Sequence, residues 1–82
     1  MKEKEIIEKL KELIKTYVED EDAFSNIQAG THLINDLKIN SAHLVDIILD
    51  TEEAFDIEID DESAEQMLTV QAAVDIVKQK LA

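Results

Sequence analysis

The chain has no cysteine, no proline and no tryptophan, and one glycine, Gly30. Without cysteine there is no disulfide and no thiolate metal site. The two histidines, His32 and His43, cannot complete a tetrahedral zinc site without carboxylates. The want of proline and glycine removes the turn-makers of a many-stranded β architecture and favours helices. Aromatic residues are limited to Tyr17, Phe24 and Phe55. A chain of 82 residues is long enough for one domain, 1–82, and must take its stability from packed Ile, Leu and Val. No apolar run approaches the ~18 residues of a membrane span. Positive charge is also scarce: 8 Lys and Arg face 20 Asp and Glu, for a net charge of −12. Such a chain is repelled by nucleic acid and by anionic membranes, and is steered toward basic protein surfaces. The same charge favours a monomer.

The acid is unevenly placed. From Ile39 to Val77 there are eleven Asp or Glu and no Lys or Arg. Mixed charge at the amino-terminal end, Lys2-Glu3-Lys4-Glu5, leads into an amphipathic repeat rather than an export signal, so a cytoplasmic location is expected. From Lys4 to Val18, apolar residues at 6, 7, 10, 13, 14, 17 and 18 follow one helical face. The acidic run Glu19-Asp20-Glu21-Asp22 opposes the dipole at a helix C-terminus and predicts a break. Residues 19–40 have no clean period and predict a long loop whose apolar side chains plug the core. A helix is expected from about Ser41 to Phe55, capped by Asn40 or Ser41. An extended linker over 56–60 then buries Ile57 and Ile59. A short helix follows over 61–67, and a last helix over 70–81 capped by Thr69. The expected fold is all-α: three main helices, one short third helix, and a long loop between the first two.

The second main helix carries more oil than a bundle helix needs. Leu44, Val45, Ile47, Ile48, Leu49, Ala54 and Phe55 spread over roughly 220° of a helical wheel, against an apolar stripe of ~100° or somewhat more. The excess can be wrapped by the loop and the short helix, line a cleft for an apolar ligand, or form a patch for another protein. Opposite it, Asp46, Asp50 and Glu53 form an acidic strip suited to a basic groove with apolar sockets.

Ser41 heads this helix. His43 does not make a Ser-His pair with it, because residues two apart on a helix do not face each other. No glycine-rich elbow surrounds the serine, so hydrolase chemistry has little support. Counting a calcium loop from Asp56 puts Asp61 at the sixth position and Met67 at the twelfth, where Gly and Glu are needed. No catalytic set emerges.

Asp36-Leu37, then Ser41 after three residues, Glu52-Glu53-Ala54-Phe55, Asp56-Ile57-Glu58-Ile59, an acidic short helix and Thr69-Val70-Gln71 form an ordered set. Together with length and acidity, this set resembles the acyl carrier proteins over nearly the whole chain. The resemblance implies a four-helix bundle and a carrier, not an enzyme. It implies covalent 4'-phosphopantetheine on Ser41, with acyl groups borne as thioesters in fatty acid or related lipid or secondary-metabolite biosynthesis. Carriers of aminoacyl, polyketide or peptide groups share the bundle. The implied partners are a phosphopantetheinyl transferase and the acyl-transferring and chain-extending enzymes, with basic docking surfaces. Asp46, Glu52 and Glu53 match the family's acidic docking positions, beside Asp50 of the strip. Leu44, Val45, Ile48, Leu49, Phe55, Ile59, Met67 and Ala73 match the lining of its acyl pocket or the neighbourhood. The chain departs from the family at Asn40-Ser41-Ala42, where Asp-Ser-Leu is usual, and at His43, where an acid is frequent. Lys38 and Ile39 replace small residues. These departures point to a specialised carrier. The competing reading is a small acidic interaction module with no prosthetic group, in which Ser41 is only a cap.

Overall fold

Period-four spacing of aliphatic residues builds the core. Ile6, Leu10 and Ile14 form one buried stripe on α1 (Glu3–Lys15). Ile47, Thr51 and Phe55 form another on α3 (His43–Phe55). These residues come from a computed structural model that describes residues 2–81; of the span 1–82 expected as one domain, Met1 and Ala82 lie outside the described residues. The last helix, α5 (Val70–Leu81), buries Val70, Ala73, Val74, Ile76 and Val77. Helix α1 packs against both α3 and α5, and the short α4 (Asp61–Gln66) packs against α5. Lys9 Nζ also lies 5.4 Å from the centre of the Phe55 ring, a cation–π contact between α1 and α3. Among the described residues there is no strand, only an isolated bridge between His32 and Thr69.

Thr51 is the one buried polar residue among the described residues, and it is satisfied locally. Its Oγ1 donates to the Ile47 carbonyl at 2.7 Å, so a hydroxyl enters the interior without an orphaned donor.

The main helices stand close to where the apolar periods put them, with differences at their ends. Helix α1 stops at Lys15 rather than Val18. Tyr17 N–H and Val18 N–H close tighter turns onto the carbonyls of Ile14 and Lys15. Helix α3 starts at His43 rather than Ser41. Ahead of it, His43 N–H bonds the Asn40 carbonyl at 2.8 Å and Leu44 N–H the Ser41 carbonyl at 3.2 Å. The chain is therefore in a three-residue turn at Ser41, and the four-residue ladder begins beyond it.

The long connection is not all loop. It contains the short α2 (Glu21–Ser25). The acidic run read as a breaker does both jobs. It ends α1, and Asp20 then accepts the N–H groups of Asp22 (3.0 Å) and Ala23 (3.2 Å) as the cap of α2. Carboxylates that oppose the end of one helix complement the start of the next.

Beyond α2 the connection is pinned at both faces. Leu33, Leu37 and Ile39 enter the core. Leu33 N–H bonds the Leu68 carbonyl, and Val70 and Gln71 N–H bond the carbonyls of Thr31 and Ala29. His32 Nδ1 accepts from Ile34 N–H (3.2 Å) and Asn35 N–H (3.1 Å), while His32 N–H donates to Asp36 Oδ2 at 2.7 Å. His32 and Asp36 are thus committed to holding a turn. Thr69 Oγ1 accepts Ala72 N–H at 3.1 Å at the head of α5, the expected cap. Asp60 joins the ends of α4 and α5 through Lys80 Nζ at 3.2 Å; the Ser63 hydroxyl and that ammonium hold its carboxyl below the usual carboxylate value.

Candidate functional site

Two buried anchors present Ser41. Upstream, Ile39 is in the core and its N–H reaches the Leu33 carbonyl at 3.3 Å. Downstream, Ile47, the fifth residue of α3, is buried in the core. Between them Asn40 Oδ1 accepts Ala42 N–H at 2.9 Å, which fixes the turn, and Ser41 itself is exposed. A hydroxyl at the outer corner of such a turn can be reached by another protein. Lys38 precedes it in the left-handed backbone region, at φ 59. A non-glycine residue held there costs about 1–2 kcal/mol.

Helix α3 turns a two-toned face to solvent. Val45 and Leu49, one turn apart, are 60% and 55% exposed. Beside them lie the exposed carboxylates of Asp46 and Glu53. His43 Nδ1 sits 3.4 Å from Asp46 Oδ2. The other two acids are turned to internal use. On the edge facing α1, Asp50 is half-buried and accepts the Tyr17 hydroxyl at 2.6 Å. This bond, with burial and the charges of Asp50 and Asp46, pushes the Tyr17 phenol up to about 12. On the opposite edge, half-buried Glu52 accepts Ile59 N–H at 2.8 Å and so ties α3 to the extended linker.

The apolar residues assigned to a pocket sit at three depths. Phe55, Ile59, Met67 and Ala73 belong to the closed core. Leu44 and Ile48 are half-buried and pack against that core. Val45 and Leu49 face solvent. The wide arc of α3 is therefore partly wrapped by its own fold and partly left open.

No model of a known protein family matches the chain. Individual proteins do. An acyl carrier protein of Guillardia theta is 38% identical over 82 residues, covering all of this chain and 99% of that protein. One of Desulforapulum autotrophicum is 38% identical over 72 residues, 88% of this chain and 92% of that protein. One of Coprothermobacter proteolyticus is 36% identical over 81 residues, 99% of this chain and 96% of that protein. The chain belongs to the acyl carrier protein family. A solved structure of an acyl carrier protein from Enterococcus faecalis superposes with a TM-score of 0.80 at 29% identity, covering 98% of this chain and 99% of that one.

Acyl carrier proteins are carriers and not catalysts, and the present chain has that role. The family implies a phosphopantetheine prosthetic group. The residues here are compatible with one: an exposed hydroxyl stands at the head of α3, with aliphatic surface alongside. No helix among the described residues is long and apolar enough to cross a membrane. The reading as an interaction module without a prosthetic group is not favoured by this kinship.

Two features of this site have no local signature in the sequence. Tyr17 as the partner of Asp50 lies 33 residues away in sequence. The sequence offers only a chemical hint: a lone tyrosine that continues the apolar period of 6–18 needs an acceptor for its hydroxyl. Glu52 as an acceptor for the linker had no local signal, because Ile59 lies seven residues beyond it, past a left-handed residue, Asp56 at φ 53.

Proposed function

We propose that Ser41 is the attachment point for 4'-phosphopantetheine, and that the chain acts as one carrier domain in the cytoplasm, in fatty acid or related lipid or secondary-metabolite biosynthesis. The observation that carries this is the presentation of Ser41: exposed, on a turn fixed by the Asn40 side chain, between core anchors at Ile39 and Ile47. The attached arm supplies the thiol that carries the acyl group. Ser41 needs no base of its own, since the transferase brings the chemistry. The α3 N-terminus, with its amides and dipole, favours the phosphodiester charge. Tethering replaces free diffusion between enzymes by a local encounter.

Docking falls to the outer face of α3, where Val45 and Leu49 offer contact area and Asp46 and Glu53 offer charge to basic enzymes. The acyl chain enters beside Leu44 and Ile48, with Phe55, Ile59, Met67 and Ala73 behind them. Entry requires those core side chains to part, because they now fill the interior. Asn40, Ala42 and His43 around the serine support a specialised carrier, since they change the groups a partner meets first.

The test is an intact mass after incubation with coenzyme A and a broad-specificity phosphopantetheinyl transferase. The expected result is a gain of one phosphopantetheine that disappears in Ser41→Ala. Absence of the gain with several transferases, or its survival in Ser41→Ala, overturns the assignment.

A further inference from the structure

The acids of α3 are unequal in a way that one side chain explains. Tyr17 lies two residues past the end of α1, in a turn closed by its own N–H on the Ile14 carbonyl at 2.9 Å. From there its hydroxyl reaches Asp50 Oδ2 at 2.6 Å, and its ring lies against the His43 imidazole, centroids 5.4 Å apart and tilted by 40°. Asp50 is half-buried, while Asp46 and Glu53 remain exposed.

We propose that Tyr17 masks Asp50 from docking partners and so sets which basic surfaces this carrier accepts. A partner cation approaching Asp50 finds Oδ2 already taken by the phenol and must share the carboxylate with it, and the ring obstructs the approach from the α1 side. Recognition then rests on Asp46 and Glu53 around Val45 and Leu49. Tyr17 is a positioning and specificity residue, acting through Asp50. The inference rests on the docking role proposed above for α3.

Masking gives the opposite sign from ordinary structural support. Losing the hydroxyl frees a carboxylate and strengthens docking, whereas losing a structural contact weakens it. The probe is a phosphopantetheinyl transferase with a basic docking surface, and the readout is its KM for the apo protein at several salt concentrations. The variants are Tyr17→Phe, Asp50→Asn, the pair of both, and Glu53→Gln. Tyr17→Phe keeps the ring against His43. It should lower KM about two- to fivefold, the scale of one exposed ion pair. It should also steepen the rise of KM with salt. Asp50→Asn should raise KM more in the Tyr17→Phe background than alone, a non-additivity expected of coupled neighbours. Glu53→Gln should raise KM in both.

An unchanged Glu53→Gln overturns the docking role, and the mask with it. A Glu53→Gln effect alongside an unchanged or higher KM in Tyr17→Phe overturns the mask alone. If Tyr17→Phe loses its helical circular dichroism, Asp50→Asn decides. A rise in KM as large as that of Glu53→Gln overturns the mask, and a smaller one supports it.

Discussion

Glu52 and Glu53 are neighbours on one helix, about 100° apart around its axis, and replacing each by alanine separates fold from surface. The Glu52 carboxylate accepts Ile59 N–H at 2.8 Å from a half-buried position, and Ile59 itself is buried. A hydrogen bond to a charged group is worth about 1.5–3 kcal/mol net. The site is only partly enclosed, so water recovers some of the loss and the lower part of that range applies, about 1.5–2 kcal/mol. Glu53 is exposed, and its removal should fall within about 0.5 kcal/mol of zero. Each substitution removes one negative charge from a chain of net charge −12, and each places alanine in α3. Charge relief and helix propensity therefore cancel in the difference between the two variants. For a domain of this size, 1 kcal/mol moves the melting midpoint by about 4–8 °C. Glu52→Ala should thus melt roughly 6–16 °C below Glu53→Ala. Glu52→Gln keeps a neutral acceptor and should lie about midway. Urea unfolding followed by circular dichroism checks the same difference, with an unchanged denaturant slope showing that only stability moved. Equal midpoints for Glu52→Ala and Glu53→Ala would refute the reasoning, and with it the assignment of Glu52 to the fold.

Tyr17 is the sole tyrosine and there is no tryptophan, so its phenolate absorbance can be read directly. The midpoint should lie near 12 rather than 10.0, and should fall toward 10.0 in Asp50→Ala. Because the folded value is raised, the stabilisation is complete below pH 10.0 and is lost as pH rises toward about 12. Circular dichroism over the same range distinguishes titration from unfolding, and a native-state midpoint at 10.0 would dismiss the Tyr17–Asp50 bond. Lys38→Gly relieves a left-handed backbone at φ 59 but adds unfolded-state freedom, so a net gain of about 0.5–1 kcal/mol is expected in denaturant unfolding. A loss would mean that the Lys38 side chain supports the turn. With the arm proposed at Ser41, longer acyl chains should raise the melting midpoint, since a chain seated in the core would stabilise the folded state alone. A midpoint indifferent to chain length would place the acyl group outside.

Much of this architecture is written locally. The spacing of Ile6, Leu10 and Ile14 declares a helix and its buried face in one stroke, because residues four apart share a side of any helix. The cap at Thr69, the extended run through Ile59 and the carboxylates heading α4 are equally local. So is the excess of apolar residues along α3, from Leu44 to Phe55. Helix α2, expected as loop, is not legible in the sequence: five residues show too little periodicity, and Asp20 reads as a breaker without its partners at Asp22 and Ala23.

The sequence by itself determined the main helices, the acidity and the position of Ser41 at the head of α3, since each follows from neighbours along the chain. Only the tertiary structure decided how the acids of α3 divide. Asp50 is claimed by a tyrosine 33 residues away and Glu52 by a linker amide, while Glu53 is left to solvent. A helical period says which residues share a face. It does not say which neighbouring element reaches the edge of that face, and a carboxylate's role is set by the donor that arrives there first.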